Sequence, residues 1–166
     1  MMIRDIFKKL QGVWSFSRNL IRNDVLQPLG TVKGTVKLSS FIENNNDLYY
    51  LEEGELIMSN GEKFNIRKEY IYSYHEKEDQ IEKYFAQDGK KEGIFYKLNF
   101  KDHTQTATKS QSICATGEHL CSKDNYQANY EFLEDKFKLT YKVHGPNKDY
   151  TSETVYEKTT SPSLVP

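Results

Sequence analysis

The chain has 166 residues, 13 % of them aromatic, with 23 Lys plus Arg against 24 Asp plus Glu and a net charge of −1. That length suits one domain able to bury about two-thirds of its unfolded surface, and the aromatic content is too high for a disordered chain. The balanced charge argues against a general binder of nucleic acid or anionic membrane, which would carry a basic excess.

The first ten residues have no uninterrupted apolar core, so they are not a secretory signal. No run approaches the ~20 apolar residues of a membrane span. Cys114 and Cys121 are too few for a disulfide scaffold and are not spaced as zinc ligands. Free thiols in a soluble cytoplasmic protein are therefore expected.

Ile3, Ile6, Phe7 and Leu10 repeat at helical spacing and predict one short amphipathic helix. Gly12 to Arg18 follows as a strand with Trp14, Phe16 and Arg18 on one face, because strand side chains alternate. The only Trp is expected to anchor the core. Residues 19–29 read as irregular. Gly30 to Leu38 alternates strictly, with Val32, Val36 and Leu38 inward and the small Gly30 and Gly34 on the same face. Asn44 to Asp47 reads as a turn, and Leu48 to Met58 as a strand. Asn60-Gly61 is a strong hairpin signal. Phe64 to Tyr74 then places Phe64, Ile66, Lys68, Tyr70, Tyr72 and Tyr74 on one inward face.

Glu76 to Asp79 and Asp88-Gly89 read as turns that bound a strand at Ile81 to Phe85. Ile94 to Phe100 is a further strand, a turn follows at Lys101 to His103, and Thr104 to Leu120 reads as one long or bulged strand. Gln127 to Leu133 and Lys136 to His144 form a hairpin, with Phe137, Leu139, Tyr141 and Val143 inward. Tyr150 to Lys158 is the last strand and 159–166 a tail. About nine or ten strands with turn signals and no βαβ alternation predict an all-β, antiparallel up-and-down barrel over 1–158, with one N-terminal helix.

Several motifs carry a resemblance. The leading Gly12-x-Trp14 resembles the signature that opens the barrel of lipocalins and their calycin relatives. In lipocalins a late Arg packs across that Trp, and the last strand here offers Lys158 instead. A likeness over almost the whole chain is to the domain-of-unknown-function 6314 family. It rests on Gly12-x-Trp14-x-Phe16-x-Arg18, Tyr50-x-Glu52-x-Gly54, Lys68-Glu69-Tyr70, His119-x-Cys121-x-x-Asp124-x-Tyr126 and Val143-x-Gly145-Pro146-x-Lys148-Asp149-Tyr150. The family usually shows Arg where this chain has Lys68, which keeps the charge and loses the planar fork. The resemblance implies a calycin-like barrel and no stated activity.

The cluster His119, Cys121, Asp124 and Tyr126 gathers an imidazole, a thiol, a carboxylate and a phenol around a turn at Ser122-Lys123. One reading is a polar pocket, with Arg18 or Lys68 opposite. The other is that His119 and Asp124 fix the turn, Cys121 fills space and Tyr126 sits in the wall. A Cys121/His119 nucleophilic pair lacks an oxyanion hole, and a metal would need a fourth ligand, so neither is expected. Lys148, in the Gly145 to Asp149 turn, is a candidate anion contact. Four inward tyrosines, Tyr50, Tyr70, Tyr72 and Tyr74, favour a partly wet interior.

The expected function is a small intracellular barrel that binds an anionic or carbonyl-bearing small molecule through Arg18, Lys68, Tyr70, His119, Cys121, Asp124, Tyr126 and Lys148. The alternatives are an acid–base isomerase, cyclase or hydrolase working through His119 and Asp124, and an interaction module with a filled core. No cofactor is expected; haem is the runner-up, because related calycins hold it, with His119 or another His as the axial ligand. The expected partner is a small molecule, without nucleic acid or membrane span, and a homodimer is compatible.

Overall fold

The computed structural model describes residues 2–100 and 112–159. One helix, α1 (Met2–Leu10), precedes β1 (Gly12–Arg22), β2 (Gln27–Phe41), β3 (Asn44–Met58), β4 (Lys63–His75), β5 (Gln80–Gln87) and β6 (Lys90–Lys97). Then come β7 (Asn99–Phe100), β8 (Ile113–Cys121), β9 (Asp124–Phe132), β10 (Lys136–His144) and β11 (Asp149–Lys158). All neighbours are antiparallel, in the order β6-β5-β4-β3-β2-β1-β11-β10-β9-β8-β7. The predicted all-β barrel is therefore observed, nearly closed, with eleven strands among the described residues because the stretch read as Ile94 to Phe100 divides into β6 and β7.

Three sequence expectations need correcting. Of residues 19–29, only Asn23 to Leu26 form a turn: β1 continues through Leu20 and Ile21 to Arg22, paired on both sides, with a bulge between Leu20 and Ile21, and β2 begins at Gln27. The turn expected at Asn44 to Asp47 lies at Ile42-Glu43, and Asn44 already pairs with Phe41. The asparagine side chains satisfy backbone and neighbours there, Asn44 Oδ1 accepting from the Asn46 N–H at 2.9 Å, so the turn-like composition belongs to the strand entry. Phe64, expected inward with Tyr70, is exposed, because β4 projects past the packed interior at that end. The expected Lys101 to His103 turn, the first part of the Thr104 to Leu120 strand and the tail beyond Thr159 lie outside the described residues.

The first and last strands pair in the middle of the sheet, Trp14 opposite Lys158 and Arg18 opposite Thr154. Closure therefore falls elsewhere, where β6 faces β8 without a backbone ladder among the described residues. Side chains close that seam. The Tyr96 ring lies directly on Gly117, leaving no room for a β-carbon. Phe95 meets the His119 ring edge-on at 5.3 Å.

Helix α1 plugs one end. Ile6, Phe7 and Leu10 are buried, with Phe7 against Tyr74 at 5.6 Å. Trp14 Nε1 donates to the Leu10 carbonyl at 3.0 Å, and its ring meets Phe137 edge-on at 4.9 Å. Lys158 completes this end. Its Nζ lies 4.7 Å from the Trp14 ring centroid and donates to the Lys9 and Gln11 carbonyls at 2.6 and 2.9 Å. A cation at a helix C-terminus is favourable, and Lys158 supplies it while lying across the Trp14 ring.

Outside the wall, Glu69 accepts from the Gly89 N–H at 3.0 Å, Tyr49 Oη at 2.8 Å, Arg67 Nη1 at 3.1 Å and the Asp88 N–H at 3.2 Å. The backbone donor at Gly89 leads these in holding its carboxyl down at about 2. A depressed carboxylate stabilises the fold above its ordinary value near 4.5 and loses that contribution as pH falls toward about 2.

Two outcomes are expected. Gly117→Ala drives a methyl into a ring whose hydroxyl is held by Tyr130 and Tyr141, both at 2.6 Å; it should lose about 1–3 kcal/mol in urea unfolding with the slope unchanged. Parent-like stability would mean the seam is closed some other way. Glu69→Gln should be less stable than the parent at pH 7, and the gap should shrink between about pH 4.5 and 2. A gap independent of pH would contradict the role given to the carboxylate.

Candidate functional site

Alternation along β1 carries the hydrophobic row Trp14, Phe16 into a polar layer at Arg18. Thr154 stands beside it on β11, and Glu52 reaches it from β3, the next strand but one, over β2. Arg18 Nη1 and Nη2 donate to the two Glu52 oxygens at 2.8 Å each, and Nε donates to Thr154 Oγ1 at 2.7 Å. The pairing is bidentate and buried, Glu52 being 1 % exposed. Tyr50 Oη donates to Glu52 Oε1 at 2.5 Å and also meets Tyr156 Oη at 2.9 Å. Burial would push the Glu52 carboxyl up, but the Arg18 guanidinium and the Tyr50 hydroxyl hold it below the ordinary carboxylate range. Burial likewise opposes the Arg18 charge and is outweighed by the Glu52 hydrogen bond and the surrounding acids and phenols, which raise it.

Above this pair lies a cavity of about 230 Å3, at the end away from α1. Its floor is Arg18, Glu52, Tyr50 and Tyr156; Tyr70, Phe95, Tyr126 and Tyr141 are among its aromatic walls, and Lys68 and Tyr150 also line it. Lys83 opens onto it from β5 and is 2 % exposed. Ile81, Lys83 and Phe85 share a strand face, and a bulge follows immediately between Lys83 and Tyr84, a device that re-aims side chains.

Lys83 Nζ donates to Tyr141 Oη at 2.9 Å, and the nearest ring face is Tyr70, 4.1 Å to the centroid. Five further rings lie within 5.7 Å, Tyr72 among them at 5.2 Å. Among the described residues no carboxylate lies within ion-pair distance of it. Burial drives its ammonium far below the ordinary lysine range; Glu52 pulls the other way, and Arg18 and Lys68 add to the depression. Lys68 stands opposite Glu52 on β4, solvent-exposed at the mouth and also without an ion-pair partner among the described residues. Burial by the wall, then the Arg18 charge, lower it too, a shift that solvent screens.

The phenols form a chain. Tyr141 Oη meets Tyr96 Oη at 2.6 Å, Tyr96 meets Tyr130 at 2.6 Å, and Tyr130 meets Tyr72 at 2.7 Å. Burial pushes all four hydroxyls up, so they are neutral at pH 7. Each has one proton to donate, and the chain satisfies groups that would be costly if left unpaired in the core.

The sequence-derived candidates divide into two groups. Arg18, Lys68, Tyr70 and Tyr126 line the cavity. His119 packs against Phe85 at 5.6 Å and Phe95 at 5.3 Å and does not line it. The turn at Ser122-Lys123 is present, with Ser122 at φ 61°, and pairs His119 with Tyr126 and Cys121 with Asp124. Even so, no hydrogen bond or ion pair joins His119 to Asp124 among the described residues. Asp124 instead sits on Gly145, where a β-carbon has no room, with Oδ2 3.9 Å from Lys148 Nζ. Lys148 donates to Tyr126 Oη at 3.0 Å, which places it at the rim. Cys121 is exposed and Cys114 half-buried, both as free thiols. Among the described residues no group of three or more His, Cys, Asp or Glu could hold a metal.

Sequence reasoning did not single out Glu52, Lys83, Tyr141 or Tyr156 as site residues. The available signal was parity: Glu52 continues the inward row Leu48, Tyr50, and Lys83 lies between inward Ile81 and Phe85.

Breaking the buried pair from one side should be severe. Glu52→Ala leaves Arg18 uncompensated and is expected to lose about 3–5 kcal/mol in chemical denaturation, whereas replacing both Arg18 and Glu52 by Met should recover most of that. Equal losses in the single and double variants would show that the two residues do not act as a pair.

The family of unknown function DUF6314 matches residues 10–158. No curated protein matches the chain. An S-type phycobiliprotein lyase, CPES from Guillardia theta, is a structural neighbour with a TM-score of 0.68 and 8 % sequence identity; the match covers 96 % of this chain and 94 % of that one. At that identity the likeness concerns the fold. The family match spans the barrel from the end of α1 through β11, including Arg18, Glu52 and Lys83, and the chain belongs to the DUF6314 family.

Proposed function

We propose that the barrel binds a small, single-ring organic anion that carries a carbonyl or similar acceptor opposite its charge. One observation carries this reading. Lys83 and Lys68 both line the cavity, while Glu52, the only carboxylate among its described lining residues, is committed to Arg18. The interior therefore has cationic capacity without a counter-charge, and an entering anion would supply it. Its charge suits Lys68 at the mouth; its acceptor suits Lys83 and Tyr141 deeper in.

Size and wall chemistry narrow the class. At about 230 Å3 the cavity is smaller than the roughly 300–1,000 Å3 of drug-sized pockets, which favours one ring over a polycycle. Tyr70 and Phe95 stack at 6.0 Å, and Phe95 and Tyr141 at 5.9 Å, so flat faces border the space. The lyase neighbour supports the architecture and does not specify the ligand.

Calorimetry with 4-carbamoylbenzoate, benzamide and benzylamine tests the charge preference. The carboxylate should bind, benzamide should bind at least about tenfold more weakly, and Lys68→Met and Lys83→Met should each weaken the carboxylate about tenfold, or ~1.4 kcal/mol. A haem titration is run alongside, with no shifted Soret band expected. Preference for benzylamine, or binding unaffected by both lysine variants, would sink the proposal.

A further inference from the structure

Lys83 is an unusual residue to bury unless its amine is used. A lysine kept for structure alone would sit beside a carboxylate, and the nearby one is already held by both terminal guanidinium nitrogens of Arg18. A lysine kept for its stem alone would reach solvent with its head. Lys83 does neither: its Nζ is enclosed by ring faces, donates to one phenol among the described residues and borders the cavity. A desolvated lysine amine with other cations nearby is the arrangement that makes this residue nucleophilic toward carbonyl carbon.

Building on the anion-binding reading of the same cavity, we infer that Lys83 captures the carbonyl of an aromatic aldehyde or keto acid as an imine. The ligand carboxylate stays at the Lys68 end and the carbonyl carbon faces Nζ. The Nζ lone pair forms the C–N bond as the carbonyl π bond breaks, and the oxygen takes a proton. The resulting carbinolamine loses its hydroxyl as water, and nitrogen gives up its second proton to form C=N. The sum is amine plus carbonyl giving imine plus water, with no oxidant or reductant.

Tyr141 is placed to exchange the protons, its hydroxyl lying 2.9 Å from Nζ and 2.6 Å from Tyr96 Oη. The ionic groups that act on Lys83 are Glu52 from β3, Arg18 from β1 and Lys68 from β4. Burial, with the two cations, lowers its pKa against the pull of Glu52 and so favours the uncharged, nucleophilic amine. The ring walls keep bulk water from the imine, which slows its hydrolysis.

Reductive trapping tests the inference. The full-length protein is incubated at pH 7 with 4-formylbenzoate and cyanoborohydride, then analysed by intact mass and peptide mapping. Label at Lys83 should exceed that at any surface lysine by roughly tenfold or more, because each unit of lowered pKa raises the free-base fraction about tenfold. An excess of 4-carbamoylbenzoate should protect Lys83. Tyr141→Phe should slow labelling several-fold while keeping Lys83 as the target. Lys83→Met and Lys83→Arg should show only surface background, with near-ultraviolet circular dichroism checking the fold; if the Met variant does not fold, the Arg variant and the parent peptide map still decide. Label confined to surface lysines, with 4-carbamoylbenzoate still binding, would overturn imine formation and leave anion binding standing. Neither label nor binding would overturn both.

Discussion

The interior depends on how one carboxylate is used. Glu52 is buried, and both its oxygens are committed to Arg18. Removing a charge from water costs several kcal/mol per ion, and a bidentate partner recovers that only when no third group competes. The Arg18–Glu52 pair is therefore closed, with Thr154 and Tyr50 completing its hydrogen bonds. Every other cation that faces the lumen has to manage without it. Burial lowers the pKa of Lys83, and Lys68 stays near water. The same pairing that lets the polar layer exist leaves the cavity short of negative charge.

Closure and site are linked through the aromatic wall. Because β1 and β11 pair in mid-sheet, the barrel closes where β6 faces β8, and side chains replace the missing ladder. Tyr96 does both jobs, lying on Gly117 at the seam and passing its hydroxyl bond to Tyr141, which holds Lys83. His119 belongs to the seam as well, through Phe85 and Phe95. Its position in the sequence, within a dense polar cluster, suggested chemistry; its surroundings are those of a wall residue. Asp124 and Lys148 are joined at the rim through Gly145 and Tyr126.

The sheet was legible because alternation survives any local irregularity. Trp14, Phe16 and Arg18 could be placed on one face from their spacing, as could Phe137, Leu139 and Val143, and all six are buried. Turn positions were less legible where side chains imitate backbone, as at Asn44, and where a bulge carries a strand past its apparent end, as at Leu20. Half of the site was legible for the same reason as the sheet. Arg18, Lys68 and Tyr70 were found by parity, whereas Glu52 and Lys83 were missed because a charged residue is ordinarily assigned to solvent whatever face it occupies. Parity along β3 and β5 pointed inward at both; only the folded lumen shows that the first is paired and the second is not.

The most direct measurement is an NMR titration of the Lys83 side-chain Cε resonance, assigned with Lys83→Arg, in the free protein and with an aromatic carboxylate bound. Free Lys83 should titrate far below the ~10.4 of an ordinary lysine and move upward when the anion occupies the cavity. A Lys83 that titrates with the surface lysines, or that ignores the bound anion, would contradict the claim that this interior lacks a counter-charge.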